Sequence, residues 1–165
     1  MRRTIHIDIF DPASVDAAVK ELRDYAKWVQ RKTDELAKRL ADMGAVLAAI
    51  EYSRVPYIGD KDVDLSVESL GGNRYSIVAS GETVLILEFG AGITYGYGHP
   101  QAQEFGMGPT TYPGQIHAAD PNGWWLPKEA GGAHTYGNPP AMAMYKTGRE
   151  LRKRIIEVAR EVFAT

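Results

Sequence analysis

Polar and hydrophobic positions alternate one by one at the start of the chain, where Ile5, Ile7 and Ile9 are separated by His6 and Asp8 and followed by Phe10. This is the period-2 pattern of a short strand with one buried face. After Asp11-Pro12 the period changes. Asp11 offers an N-cap side chain, and Pro12 fills the first helical position, where its missing N–H costs nothing. Val15, Leu22, Val29, Leu36 and Met43 then recur at a fixed heptad interval, with Val19, Ala26, Thr33 and Leu40 between them. The pattern predicts one long helix with a continuous apolar stripe. Gly44 reads as its C-terminal cap, or as a bend into a short second helix over 45–52. Such a helix is on the order of 45 Å long, more than a domain of this size needs, so part of its stripe is expected to face another subunit.

From Asp62 the period returns to two. Val63, Leu65 and Val67 alternate with polar residues, Leu70-Gly71-Gly72-Asn73 is turn chemistry, and Tyr75, Ile77 and Ala79 begin a second strand. Ser80-Gly81-Glu82 then turns into VLILEF, which is apolar on both faces until Glu88. The expectation is a three-stranded antiparallel β-meander with its third strand inside the sheet and the acidic first strand near an edge. Residues 90–138 change character and hold most of the chain's 17 glycines and 9 prolines together with Trp124, Trp125 and several tyrosines. Aromatics are scarce in disordered linkers, so this long Gly/Pro/aromatic-rich insertion reads as an ordered or conditionally ordered excursion. Asp120-Pro121-Asn122-Gly123 suits a type I turn that aims both tryptophans in a fixed direction. A C-terminal helix follows, capped by Asn138 with Pro139 and Pro140 in its first turn, and Met144, Gly148, Leu151, Ile155, Val158 and Val162 form its buried face. The fold class is therefore α+β, with the 165 residues in a single domain.

The net charge of -2 supplies no general attraction to nucleic acid or anionic membrane. With no cysteine, disulfides and thiolate catalysis are excluded, which fits either a reducing cytosol or a particle assembled there. The basic N-terminus lacks the apolar core of a signal peptide, and no run approaches a membrane span. Gly90, Gly92, Gly96 and Gly98 do not match a dinucleotide fingerprint, because the third glycine falls one residue late and no helix follows. Glycines that let the backbone leave a strand, alternating with Tyr95 and Tyr97 that need something to pack on, explain the stretch better.

Three of the four histidines, His99, His117 and His134, share the excursion with Glu104 and Asp120. Brought together they would make a three-histidine metal site with Glu104 as general base, a metal-dependent hydrolase, although the spacing matches no compact signature. Tyr95, Tyr97, Tyr112, Trp124, Trp125 and Tyr136 suit either a sugar-stacking platform, as in a carbohydrate-binding module, or anchors at a protein interface. Packing and subunit interface rank above sugar binding, since a platform also needs converging polar groups. No catalytic residue or cofactor site is expected.

Three stretches, LAKRLADMGA, ASGETVLILEFGAG and NPPAMAMYKTGRELRKRI, resemble in order and content the head-tail joining or tail-completion (neck) proteins of tailed bacteriophages and prophages. Glu88-Phe89-Gly90 is the most typical short element. GPTTYPGQIHAADPNGWW looks like a loop found in a branch of that family from prophages of Gram-positive bacteria. The chain departs from simpler members by inserting roughly 40 further residues before the last helix. The resemblance implies a non-enzymatic virion structural protein, a homo-oligomeric ring between head and tail through which DNA passes without sequence-specific contact. Its expected partners are copies of itself and the adjacent connector and tail-tube proteins, with assembly in the bacterial host cytoplasm and no membrane involved. Phe89, Tyr95, Tyr97, Tyr112, Trp124, Trp125 and Tyr136 are the interface residues expected from the two readings together.

Overall fold

The computed structural model of the chain describes residues 4–57, 59–111 and 115–164. Its first element is α1 (Pro12–Arg54), an unbroken helix of 43 residues. The start follows the expected chemistry, with Pro12 at the N-terminus and Asp11 Oδ1 accepting the Ala13 N–H at 3.0 Å. The bend or cap expected at Gly44 does not occur, and no separate helix forms over 45–52. Gly44 is instead a packing point, since a side chain there would collide with Ile77 and lie 2.9 Å from Leu151. A Cβ there would force the Ile77 and Leu151 side-chain ends to move.

Two antiparallel strands, β1 (Asp64–Gly71) and β2 (Arg74–Ser80), lie along α1. Their loop, Gly72-Asn73, has φ of 60° at both positions, the type I′ geometry that matches strand twist. The hairpin is fixed to the helix at its tip by Asn73 Nδ2, which donates to the Gln30 carbonyl at 3.4 Å, and by the Tyr75 hydroxyl, which donates to Asp34 Oδ1 at 3.0 Å.

The expected third strand is a helix. Residues Val84–Phe89 form α2, whose start is tied back by Asp62: Glu82 N–H donates to Asp62 Oδ2 at 2.8 Å and Thr83 Oγ1 to the Asp62 carbonyl at 3.0 Å. A sheet interior and a helix end boxed in on all sides demand the same apolar run, so periodicity cannot separate them in a segment this short. The expected N-terminal strand is also absent. Residues 4–9 form no strand, and no backbone hydrogen bond joins residues 4–7 to the rest of the described chain. Their alternation is that of a strand, but none of the described residues pairs with it.

Past α2 the excursion is closed at its neck by a bridge between Ala91 and Asn138. It contains one short antiparallel pair, β3 (Trp124–Trp125) and β4 (His134–Thr135), separated by a single 3₁₀ turn (Lys128–Ala130). The last element is α3 (Ala143–Ala164), packed antiparallel on α1. Lys146 pairs with Glu51 at 3.1 Å, Arg39 with Glu161 at 3.6 Å, and the Phe163 ring meets Trp28 edge-on at 5.7 Å. The main core, Tyr52, Val55, Leu87, Ala141 and Ala143, joins α1, α2 and the start of α3, with Leu65 and Ala79 of the hairpin packed against it. Among the described residues no helix is long and apolar enough to cross a membrane.

Candidate functional site

Glu88, near the C-terminus of α2, is 5% exposed. A buried carboxylate needs donors on both oxygens, and it has them. Oε2 accepts the Tyr52 hydroxyl at 3.1 Å and the Met144 N–H at 3.0 Å, while Oε1 accepts the Tyr145 N–H at 3.1 Å and lies 3.3 Å from His99 Nε2. Since His99 Nδ1 already accepts the Gln101 N–H at 3.1 Å, the ring carries its proton on Nε2 and donates to Glu88. The two peptide N–H groups belong to the first turn of α3, whose exposed donors and dipole favour an anion. Glu88 therefore caps a helix that starts far along the chain.

The cap is reciprocal. Ala141 N–H donates to the Leu87 carbonyl at 2.7 Å and Met142 N–H to the Glu88 carbonyl at 3.2 Å, so the last turn of α2 and the approach to α3 satisfy each other's free groups. Asn138 does not cap α3 as expected. It is buried at the excursion's neck, and its side chain donates to the Ile86 carbonyl at 3.1 Å. Beside this knot the Phe89 ring packs at a tilt against His99, centroids 4.5 Å apart, and against Phe105 at 6.0 Å. Gly90 follows at φ 81°, where an added Cβ would lie 2.9 Å from Pro140 N and 3.0 Å from the Asn138 carbonyl. Each letter of Glu88-Phe89-Gly90 thus has a separate structural task. Burial first, and then the adjacent Glu88 carboxylate, raise the Tyr52 pKa far above the ordinary tyrosine value.

Phe89 is 8% exposed and belongs to the interior, so it is not available as the interface residue the sequence suggested. Tyr95, Tyr97, Trp125 and Tyr136 are exposed, as expected of docking residues, and Tyr112 lies outside the described residues. The expected turn forms, with Gly123 N–H donating to the Asp120 carbonyl at 3.2 Å and Asn122 N–H to Asp120 Oδ1 at 2.9 Å. It delivers the two tryptophans to opposite faces of β3, as the pleat requires. Trp125, 72% exposed, faces outward beside His134, its cross-strand partner, and His134 in turn meets Tyr136. Both ring contacts are edge-to-face, at 70° and 79°.

Trp124 turns the other way and lines a cavity of about 220 Å³ between the excursion and the segment that follows α1. Tyr57, Ile86, Ala118 and Leu126 give it apolar walls, and Gln115 and His117 also line it. Gln115 is buried. Its Oε1 accepts the Thr110 N–H at 2.7 Å, while its Nε2 meets no acceptor among the described residues. The histidines are not gathered: His99 is inside with Glu88, His117 lines this cavity, His134 stands among the outer aromatics, and Glu104 accepts from Gln101 at 3.0 Å. Among the described residues no three His, Asp or Glu side chains are grouped to hold a metal ion.

The reading from sequence missed both the capping role of Glu88 and this cavity. A lone glutamate closing an otherwise apolar run was the available signal for the first. Comparisons with protein-family models, with curated proteins and with solved structures give no match.

Proposed function

We propose that the chain is a structural subunit of a tailed-phage neck, assembling as a ring between head and tail through which DNA passes. What carries the reading is apolar surface left uncovered at one end of the molecule. Ile7, Ile9 and Phe10 of the N-terminal arm and Val15, Val19, Leu22 and Tyr25 of α1 are all exposed. They lie N-terminal to Trp28, where the end of α3 closes on α1. The stripe that is half-buried at Val29, Thr33, Leu36 and Leu40 simply continues past its own partner helix. Contiguous apolar surface of this kind marks an interaction site, and in a ring of identical subunits each copy covers such a surface on its neighbour.

The resemblance of Glu88-Phe89-Gly90 and its flanking helices to neck proteins supplies the identity, and its logic is architectural. Both Glu88 oxygens are engaged by donors, so this buried carboxylate holds α2 on α3. A hydrolase would need His99, His117 and His134 around one ion, and the fold gives each a different environment. A sugar platform would need coplanar aromatic faces, which the edge-to-face contacts of Trp125, His134 and Tyr136 do not offer. The expected neighbours are the flanking connector and tail-tube proteins, and the expected place is the virion, assembled in the host cytoplasm.

Electron microscopy and native mass spectrometry of the purified protein over a concentration series test this. Closed rings with an open centre are expected. Uniform monomers at every concentration would overturn the proposal.

A further inference from the structure

We infer that the groove between the end of α1 and the first half of α3 binds the phosphate backbone of DNA; the inference rests on the neck reading and names the surface that meets the passing duplex. The groove, about 490 Å³, is lined by Arg54 of α1 and by Lys146, Arg149, Lys153 and Arg154 of α3. Only two carboxylates, Glu51 and Glu150, line it with them. Five cations against two anions leave an excess of three positive charges, in a chain whose net charge is -2.

The carboxylates do not cancel the cations at the surface, because they are recessed. Glu51 sits between Arg54 at 3.3 Å and Lys146 at 3.1 Å, and Glu150 between Lys153 at 3.3 Å and Arg154 at 2.8 Å. The two glutamate side chains are 24% and 33% exposed, whereas the four cationic arms are 44% to 71% exposed. Each carboxylate therefore holds two cationic arms in place and leaves one of their charges in excess. Arg154 meets Glu150 through Nε and Arg54 meets Glu51 through Nη1, so most of the N–H donors of each guanidinium remain for a ligand. Arg149 supplies the third excess charge. It pairs with no carboxylate among the described residues and lies over the Tyr145 ring, its Cζ 5.9 Å from the centroid.

Such a surface suits a polyanion of regular spacing. Lys146, Arg149 and Lys153 follow one another along α3 in a run on the order of 10 Å long. Duplex DNA carries one phosphate per about 3.4 Å of axis on each strand, so this run spans about three phosphates, matching the charges in excess. Guanidinium forks fit phosphate oxygens. The apolar residues beside them, Leu47 and Ile50, offer no hydrogen bond that reads a base, so binding is expected to be independent of sequence. Copies that meet through the exposed apolar stretch of α1 leave the groove open, because Leu47 lies on the order of 33 Å along the helix from Tyr25.

Fluorescence anisotropy of a fluorescein-labelled duplex of mixed sequence, titrated with the purified protein over a salt series, tests this. Saturable binding is expected, with log K falling linearly against log salt. Arg149→Ala together with Lys153→Ala should weaken binding about tenfold or more and reduce the salt slope by about two. Lys128→Ala together with Arg160→Ala removes the same charge outside the groove and should leave binding unchanged. An equal loss in that second pair would overturn the groove in favour of a net-charge effect. Polyglutamate that displaces the duplex as well as unlabelled DNA does, at equal charge concentration, would overturn DNA in favour of an acidic protein segment. Closed rings that bind no duplex would sink this inference and leave the ring standing. Protein that stays monomeric yet binds through the groove would overturn the ring and keep the groove.

Discussion

Glu88 ties together distant parts of the fold, because its four donors come from α1, the excursion and two successive peptide groups in the first turn of α3. Glu88→Ala leaves those donors unmet in the interior, and a loss of about 3–5 kcal/mol in urea unfolding is expected. Glu88→Gln keeps the shape but offers one acceptor oxygen where two are used, and about 2 kcal/mol is the expected cost. Tyr52→Phe should cost about 1 kcal/mol at neutral pH and should also change the pH dependence. Burial and the Glu88 carboxylate raise the Tyr52 pKa in the folded protein, so the unfolded chain gives up this proton first, near pH 10. The stabilisation is complete below about pH 10 and is lost as pH rises from there toward the higher folded-state value. Unfolding midpoints between neutral and alkaline pH should therefore fall less steeply in Tyr52→Phe than in wild type. The slope should not vanish, because the Tyr75 pKa is raised in the same direction by its hydrogen bond to Asp34. Gly90→Ala brings both a left-handed backbone and a collision with Pro140, and a loss above about 2 kcal/mol is expected.

Among the elements, those stated by strong local periodicity were legible and those settled by distant contacts were not. The heptad stripe of α1, its Asp11-Pro12 start, the β1–β2 hairpin and the extent of α3 follow from spacing and turn chemistry alone, although Ile155, expected on the buried face of α3, is 42% exposed. Gly44 did not, because glycine serves equally well to end a helix and to admit a close neighbour, and only the positions of Ile77 and Leu151 decide between them. Asn138 looked like a cap by every local rule, yet a carboxylate from another helix does that work. The cavity was illegible for the same reason, since Tyr57, Ala118 and Trp124 converge only once the excursion folds back. Gly44→Ala measures how tight the three-way contact is. The gain in helix propensity is about 1 kcal/mol, overpacking costs about 1–3 kcal/mol, and the Ile77 and Leu151 methyl ends can yield only in part, so a net loss is expected. Leu22→Glu should behave in the opposite way. Leu22 is already exposed on the uncovered stretch of α1, so its replacement should leave the unfolding midpoint within about 0.5 kcal/mol of wild type while sedimentation shows assembly reduced.

Taken whole, the molecule is a helical frame with an appended excursion, and the way the excursion joins the frame makes that division testable. Its two ends meet where Ala91 pairs with Asn138, and Gly92 and Gly137 pass so close that a Cβ on Gly92 would lie 3.2 Å from the Gly137 Cα. Residues 93–136 can therefore be excised by fusing Gly92 directly to Gly137 without stretching the chain. The main core would remain, because Tyr52, Val55, Leu87, Ala141 and Ala143 all lie outside the cut. Glu88 would keep its Tyr52, Met144 and Tyr145 donors and lose only His99. The shortened chain is expected to unfold cooperatively with a lowered Tm, since Phe89 also loses its cover from Ala102 and Phe105. Mixed with wild-type protein it should co-assemble, because the exposed Val15, Val19, Leu22 and Tyr25 of α1 lie outside the cut. Loss of cooperative unfolding would instead mean that the excursion is part of what folds the frame, and unimpaired ring formation would mean that the subunits meet entirely through α1.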